Sequence, residues 1–112
     1  MNNSIGVIIA NLDELISDDV CDPDLINMTL DNSEFLVQKI FEFGGTQIIA
    51  MSDRSSKIKN KIMTQMFSRS IYDNTLIYGD ALIFGINTGK FISINLDMLM
   101  ANLMNTIKFD PK

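Results

Sequence analysis

The segment Leu76–Asn95, LIYGDALIFGINTGKFISIN, limits the possible folds more than any other part of the chain. The apolar run Ala81–Ile86 leads into Asn87-Thr88-Gly89, and Phe91-Ile92-Ser93-Ile94 follows. Apolar, turn-forming and again apolar residues in that order make a β-hairpin. A three-residue connection ending in Gly reads as a type I turn closed by a bulge, because the last position is left-handed and Gly adopts it without steric cost. That loop sets an expected register in which Ile86 faces Lys90, Phe84 faces Ile92 and Leu82 faces Ile94. Leu82, Phe84, Ile86, Ile92 and Ile94 then share one face, the expected core face. On the other face Phe91 is expected to cover the gap left by Gly85, with Ile83 across from Ser93 and Ala81 across from Asn95.

The rest of the chain supplies short elements around this hairpin. Ile5–Ala10 is β-branched, bounded by polar residues, and reads as a strand buried on both faces. Asn11 is placed to cap a short helical turn through Leu12, Leu15 and Ile16. Asp22-Pro23 ends what precedes it, since the residue before Pro is pushed out of the helical region. Weak alternation over Leu25–Leu30 suggests a second strand. Asp31-Asn32-Ser33 is a cluster of N-cap residues, so a helix is expected over Glu34–Phe43. Its stripe is Leu36, Val37, Ile40 and Phe41, flanked by Phe35 and Phe43, with Glu34 favoured in the first turn. Gly44-Gly45 is its expected stop.

Thr46–Met51 reads as another strand. From Ser56 a second helix is expected, with Ile58, Ile62, Met63, Met66 and Phe67 on one side, and Ser68–Thr75 then connects to the hairpin. Asn95 and Asp97 open the last helix, whose stripe is Leu96, Leu99, Met100, Leu103, Met104 and Ile107. Lys108 stands at its end and Pro111 beyond. The expected fold is one α+β domain over residues 1–112, a mainly antiparallel sheet with a C-terminal hairpin and two to three helices packed on one face.

Composition bounds the function classes. Apolar residues make up 46% of the 112, too many for a disordered chain. No apolar run approaches the roughly 20 residues of a membrane span, so no membrane association is expected. The opening residues MNNSIGVIIANLDE lack the basic and small-residue features of a signal peptide. The single Cys21 forms no internal disulfide, which fits a reducing, cytoplasmic setting. With no His there is no imidazole base, no Ser-His or Cys-His nucleophile pair and no His-based zinc site. No spacing points to carboxylate or lysine catalysis, so neither an enzyme, a cofactor nor a metal centre is expected.

Charge divides the chain. Residues 1–50 hold nine carboxylates against Lys39 alone, whereas residues 51–112 hold eight basic residues against five acids. Either the two halves face each other in the fold, or each presents its charge to a partner. Asp13, Glu14, Asp18, Asp19, Asp22 and Asp24 read most plainly as a solvated loop. Their functional readings are a protein-binding face that imitates a phosphate backbone, or a hard-cation site, though the spacing of a calcium loop is missing. Arg54, Lys57, Lys59, Lys61 and Arg69 read as a solvated helix face or as a nucleic-acid contact, without interleaved aromatics for base stacking. The methionine-rich stripe of the last helix has core spacing, and part of it is a candidate homo-oligomer contact.

Ile71-Tyr72-Asp73, the run Ile77-x-Gly79-Asp80-Ala81-Leu82-Ile83-x-Gly85, and Phe91-x-Ser93-Ile94 leading into a helix together carry a resemblance. The chain resembles a family of small proteins, a domain of unknown function, common in phages and mobile elements of Firmicutes and gut bacteria. The similarity extends over about residues 34–100 and is close over 71–94. The acidic segment 11–31 is longer than in that family, and Ser52–Lys61 replaces its usual turn. The resemblance implies a phage or mobile-element accessory protein and assigns no residue a role. The expected function is therefore non-enzymatic: binding of a macromolecular partner, a protein in preference to nucleic acid, with inhibition of a host defence or regulatory protein as one form. The alternatives are a nucleic-acid-associated regulator using residues 54–69, or a metal- or small-ligand-binding protein using the acidic segment.

Overall fold

The structure, a computed structural model, describes residues 4–67 and 77–105. Its elements run β1 (Ile5–Asn11), β2 (Leu15–Cys21), α1 (Pro23–Leu30), β3 (Phe35–Phe43), β4 (Thr46–Asp53), α2 (Lys61–Phe67), β5 (Ala81–Asn87), β6 (Lys90–Ile92) and α3 (Leu96–Met104). The six strands form one antiparallel sheet in the order β2-β1-β5-β4-β3. Along one side of β5, β1 pairs with residues 81–83 and β6 with residues 85–87. The α+β class is as expected, with apolar residues on both sheet faces. Ile8, Ala10, Ile48, Ala50 and Ile83 pack under Met63 and Phe67 of α2 and Leu99 and Leu103 of α3. Val7, Ile49, Met51 and Phe84 pack on the other face with Ile26 of α1. Two helices thus share one face and the third covers part of the opposite one.

That two-sided burial corrects the hairpin. Asn87 pairs with Lys90, Ile86 with Phe91 and Gly85 with Ile92, so the loop has two residues, Thr88 and Gly89. Both are left-handed, φ 50° and 78°, the type I′ arrangement that matches strand twist. The register lies one residue from the expected one, and a one-residue slip exchanges the faces of the second strand. Phe91 therefore meets Phe84 edge-on at 5.6 Å between ring centres, and does not cover Gly85. Gly85 lies instead against Ile92 and Ile94; a Cβ there would be 2.7 Å from Cγ2 of Ile94. The three-residue loop with a left-handed last residue occurs instead in the hairpin between β1 and β2, where Glu14 takes φ 63° and its N–H bonds to Asn11 O at 3.1 Å. Asn11 therefore caps no helical turn.

The helix expected over 34–43 is the strand β3. Its alternation is broken by a bulge between Lys39 and Phe41 that inserts Ile40, so Ile40 and Phe41 are both buried. That doubled apolar pair imitates helical spacing, yet the Phe, Val and Ile content of the segment suits a pleated surface. Gly44-Gly45, φ 53° and 78°, is a two-residue hairpin turn between β3 and β4, not a helix stop. Asp31–Glu34 is the turn leading into β3, with Glu34 N–H on Asn32 Oδ1 at 2.9 Å.

Leu25–Leu30, expected as a strand, lies in α1. Asp22 is its N-cap, accepting from Asp24 N–H at 2.9 Å, and Pro23 occupies the first turn, where a missing N–H has no cost. The second helix begins at Lys61, later than expected, and leaves Ile58 exposed outside it. Asn60 caps α2 by accepting from Met63 N–H at 3.1 Å and is itself completely buried. Its side-chain amide donates to Ala10 O at 3.0 Å and Gly79 O at 2.8 Å, tying β1 to the lead-in of β5. Asn95 caps α3 as expected, with its Oδ1 2.8 Å from Met98 N. Leu99 and Leu103 are buried, while Met100 and Met104 are exposed. The expected connection Ser68–Thr75, with Arg69 and Tyr72, and the helix-end residues Ile107, Lys108 and Pro111 lie outside the described residues.

Candidate functional site

The acidic segment is half strand. β2 pairs with β1 on one side and, among the described residues, forms an edge of the sheet on the other. The Val20 N–H bonds at 2.8 Å to the carboxylate of its own neighbour, Asp19, and so faces away from β1. By the alternation of an antiparallel ladder, the N–H groups of Ile16 and Asp18 face the same free edge. Leu15 and Val20, near the two ends of this strand, are 61% and 67% exposed.

The six acids divide by role. Asp18 reaches α3, where its Oδ1 accepts from Leu96 N–H at 2.6 Å, and Asp22 caps α1. Asp13 and Glu14 sit exposed in the β1–β2 turn, Asp19 on the exposed strand and Asp24 in the first turn of α1. Seven strand residues at about 3.3 Å each spread these carboxylates over roughly 20 Å. They line an edge and do not converge, and among the described residues no three His, Cys, Asp or Glu side chains are grouped to hold a metal ion. Cys21 closes the strand half-buried; burial first, then the charges of Asp22 and Asp19, raises its thiol pKa.

The basic residues do not share a helix face. Arg54 follows β4 and is used internally, its Nε donating to Ser33 O at 2.9 Å and its Nη2 to Phe35 O at 3.4 Å. Lys57 and Lys59 lie exposed in the connection before α2, Lys61 opens that helix, and Arg69 is outside the described residues. The acidic and basic halves are not joined by ion pairs among the described residues; the pair present, Lys39–Glu42 at 2.9 Å, lies within β3.

A cleft of about 430 Å³ opens at the end of the sheet, with Ile9, Leu12, Met51 and Leu82 among its apolar lining and Asp53 and Asp80 among its polar lining. Asp80 Oδ1 accepts from Leu12 N–H at 2.7 Å. Asp53 Oδ1 accepts from the N–H and hydroxyl of Ser55 at 2.9 and 2.8 Å, and those two bonds lower its pKa. The sequence marks neither aspartate as a site residue, although Asp80 stands in the run that carries the resemblance; the readable signal is Asp53-x-Ser55, a turn in which a side chain bonds the backbone two residues on. No helix among the described residues is long and apolar enough to cross a membrane. Comparison of the chain with protein-family models, with curated proteins and with solved structures returns no match.

Proposed function

We propose that the protein acts by binding a partner protein, a basic extended segment of which adds to β2 as a further strand. The observation that carries this reading is the outward N–H of Val20, held among the described residues by the adjoining Asp19 carboxylate. That local bond is exchanged for a main-chain bond when a strand arrives, so the edge is shielded but not closed. Charge selects the occupant. A second copy pairing antiparallel about the strand centre would set Asp18 or Asp19 against the same acids, and directly opposed like charges destabilise a pair. A strand bearing Lys or Arg meets Asp19 on the strand, with Glu14 and Asp24 flanking it, and Leu15 and Val20 supply apolar surface at either end. On the resemblance over 71–94, the partner of such an accessory protein is a host defence or regulatory protein.

The test titrates the full chain with a short alternating Lys-Val peptide, with a Glu-Val peptide as control, and follows backbone amides by NMR. The Lys-Val peptide is expected to shift Ile16, Asp18 and Val20, and the Glu-Val peptide to shift none of them. Replacing Asp19 and Asp24 by Lys should weaken binding about tenfold, from several exposed pairs worth roughly 0.3–1 kcal/mol each. Val20→Pro removes an outward N–H without touching the β1–β2 ladder and should abolish binding. Equal binding of both peptides, or full binding by the proline variant, overturns the reading.

A further inference from the structure

We infer that the cleft at the sheet end binds a small organic cation, an apolar chain or ring ending in an ammonium group. The proposal is independent of strand addition at β2. Ile9, Leu12, Met51 and Leu82 form an apolar floor; Met51 is buried and the other three are half-buried. About 430 Å³ lies within the range of roughly 300–1,000 Å³ typical of small-ligand sites. An apolar floor alone does not choose a ligand, but the carboxylates do. Asp53 and Asp80 each engage protein donors through Oδ1, and each Oδ2 has no hydrogen-bond donor among the described residues. Lys57 and Lys59, on the connection that passes the cleft, form no ion pair with either among the described residues. Two anionic groups beside an apolar surface complement a cation with an apolar body, which an anion or a neutral polar molecule does not match.

The walls are preformed. Gly79, at φ 79°, is pressed so close to Ser56 that a Cβ on it would lie 2.9 Å from the Ser56 Cβ. Gly79 N–H bonds to Ile58 O at 2.8 Å, and Gly79 O accepts from the buried Asn60 at the same distance. The segments carrying Asp53 and Asp80 are thereby fixed against each other before any ligand arrives, which lowers the ordering cost of binding.

The experiment uses the full chain and three probes of one shape: phenylbutylamine, phenylbutanol and phenylbutyrate. Backbone amides are followed by NMR at constant ionic strength. The amine is expected to bind in the low-millimolar range, as a small ligand of few heavy atoms does, and to shift Leu12, Asp53, Gly79 and Leu82. The alcohol should bind about tenfold more weakly and the carboxylate more weakly still. The double variant Asp53→Asn with Asp80→Asn keeps acceptors for Ser55 and Leu12, and its affinity for the amine should fall to that for the alcohol. Val20→Pro should bind the amine as the parent does, which separates this site from the β2 edge. Equal affinity for amine and alcohol, unchanged binding by the double variant, shifts confined to other residues, or no shifts at tens of millimolar amine each overturn the proposal.

Discussion

Asn60 offers the sharpest test of how the sheet and α2 are joined. It is fully buried and its side chain makes three hydrogen bonds, to Ala10 O, to Gly79 O and from Met63 N. Asn60→Ala removes all three and the helix cap with them. At about 1 kcal/mol net for each bond, plus the cost of leaving a buried N–H unpaired, the expected loss is roughly 3–5 kcal/mol. A domain of this size has a total stability of about 5–15 kcal/mol, so the loss is a large share of it. In urea, with a slope near 1–1.5 kcal/mol/M, the midpoint should fall by about 2–5 M at unchanged slope.

Asn60→Asp separates the bonding from the size of the side chain. The aspartate still accepts from Met63 N–H, but when ionised it sets a carboxylate against two carbonyl oxygens. Protonated, it donates to one of them. Burial and those oxygens raise its folded pKa above the unfolded value of about 4, so the variant is most stable at low pH and loses stability as pH rises through the folded pKa. A loss below about 0.5 kcal/mol in Asn60→Ala, or an Asn60→Asp variant that gains stability relative to the parent as pH rises, would refute the reasoning.

Gly6→Ala would place a Cβ 2.6 Å from the backbone oxygen of Ile94, whose N–H bonds to Gly6 O; calorimetry should show a loss of about 1–3 kcal/mol. Asp18→Ala should cost about 1 kcal/mol by uncapping Leu96 N–H, and Asp18→Asn, which retains an acceptor, should recover most of it. Because the Ser55 bonds depress the folded pKa of Asp53, its contribution to stability is present above its unfolded pKa near 4 and is lost as pH falls through the lower folded value. The parent should accordingly lose its advantage over Asp53→Ala between pH 4 and more acidic values, checked by urea midpoints across that range.

Elements whose residue types suit only one geometry are legible in the chain. Ile5–Ala10 and Thr46–Met51 are compact β-branched runs, and Asn95 before Leu96 and Leu99 marks a helix start without ambiguity. The sequence is ambiguous where one pattern serves two geometries. In β3 the inserted Ile40 puts Ile40 and Phe41 side by side, and spacing alone does not separate a bulged strand from a helix. In β2 the alternation disappears because an edge strand has little to bury: apart from half-buried Ile16 and Cys21, its side chains are exposed. The hairpin register turned on burial of both faces, which a single strand pair does not reveal. For the site, charge picks out the acidic segment in the sequence, whereas its division into capping and outward carboxylates depends on α1 and on α3, far along the chain. The cleft joins Leu12, Asp53 and Asp80 through tertiary structure alone.

The most direct test of the proposed function is hydrogen exchange at β2 in the full chain, with and without the Lys-Val peptide. The free edge predicts fast exchange at Ile16, Asp18 and Val20 in the unliganded protein and slowing at those residues when the peptide is added, with the slowing lost in Val20→Pro. Slow exchange at all three in the free protein, or peptide protection confined to other elements, would contradict strand addition at β2.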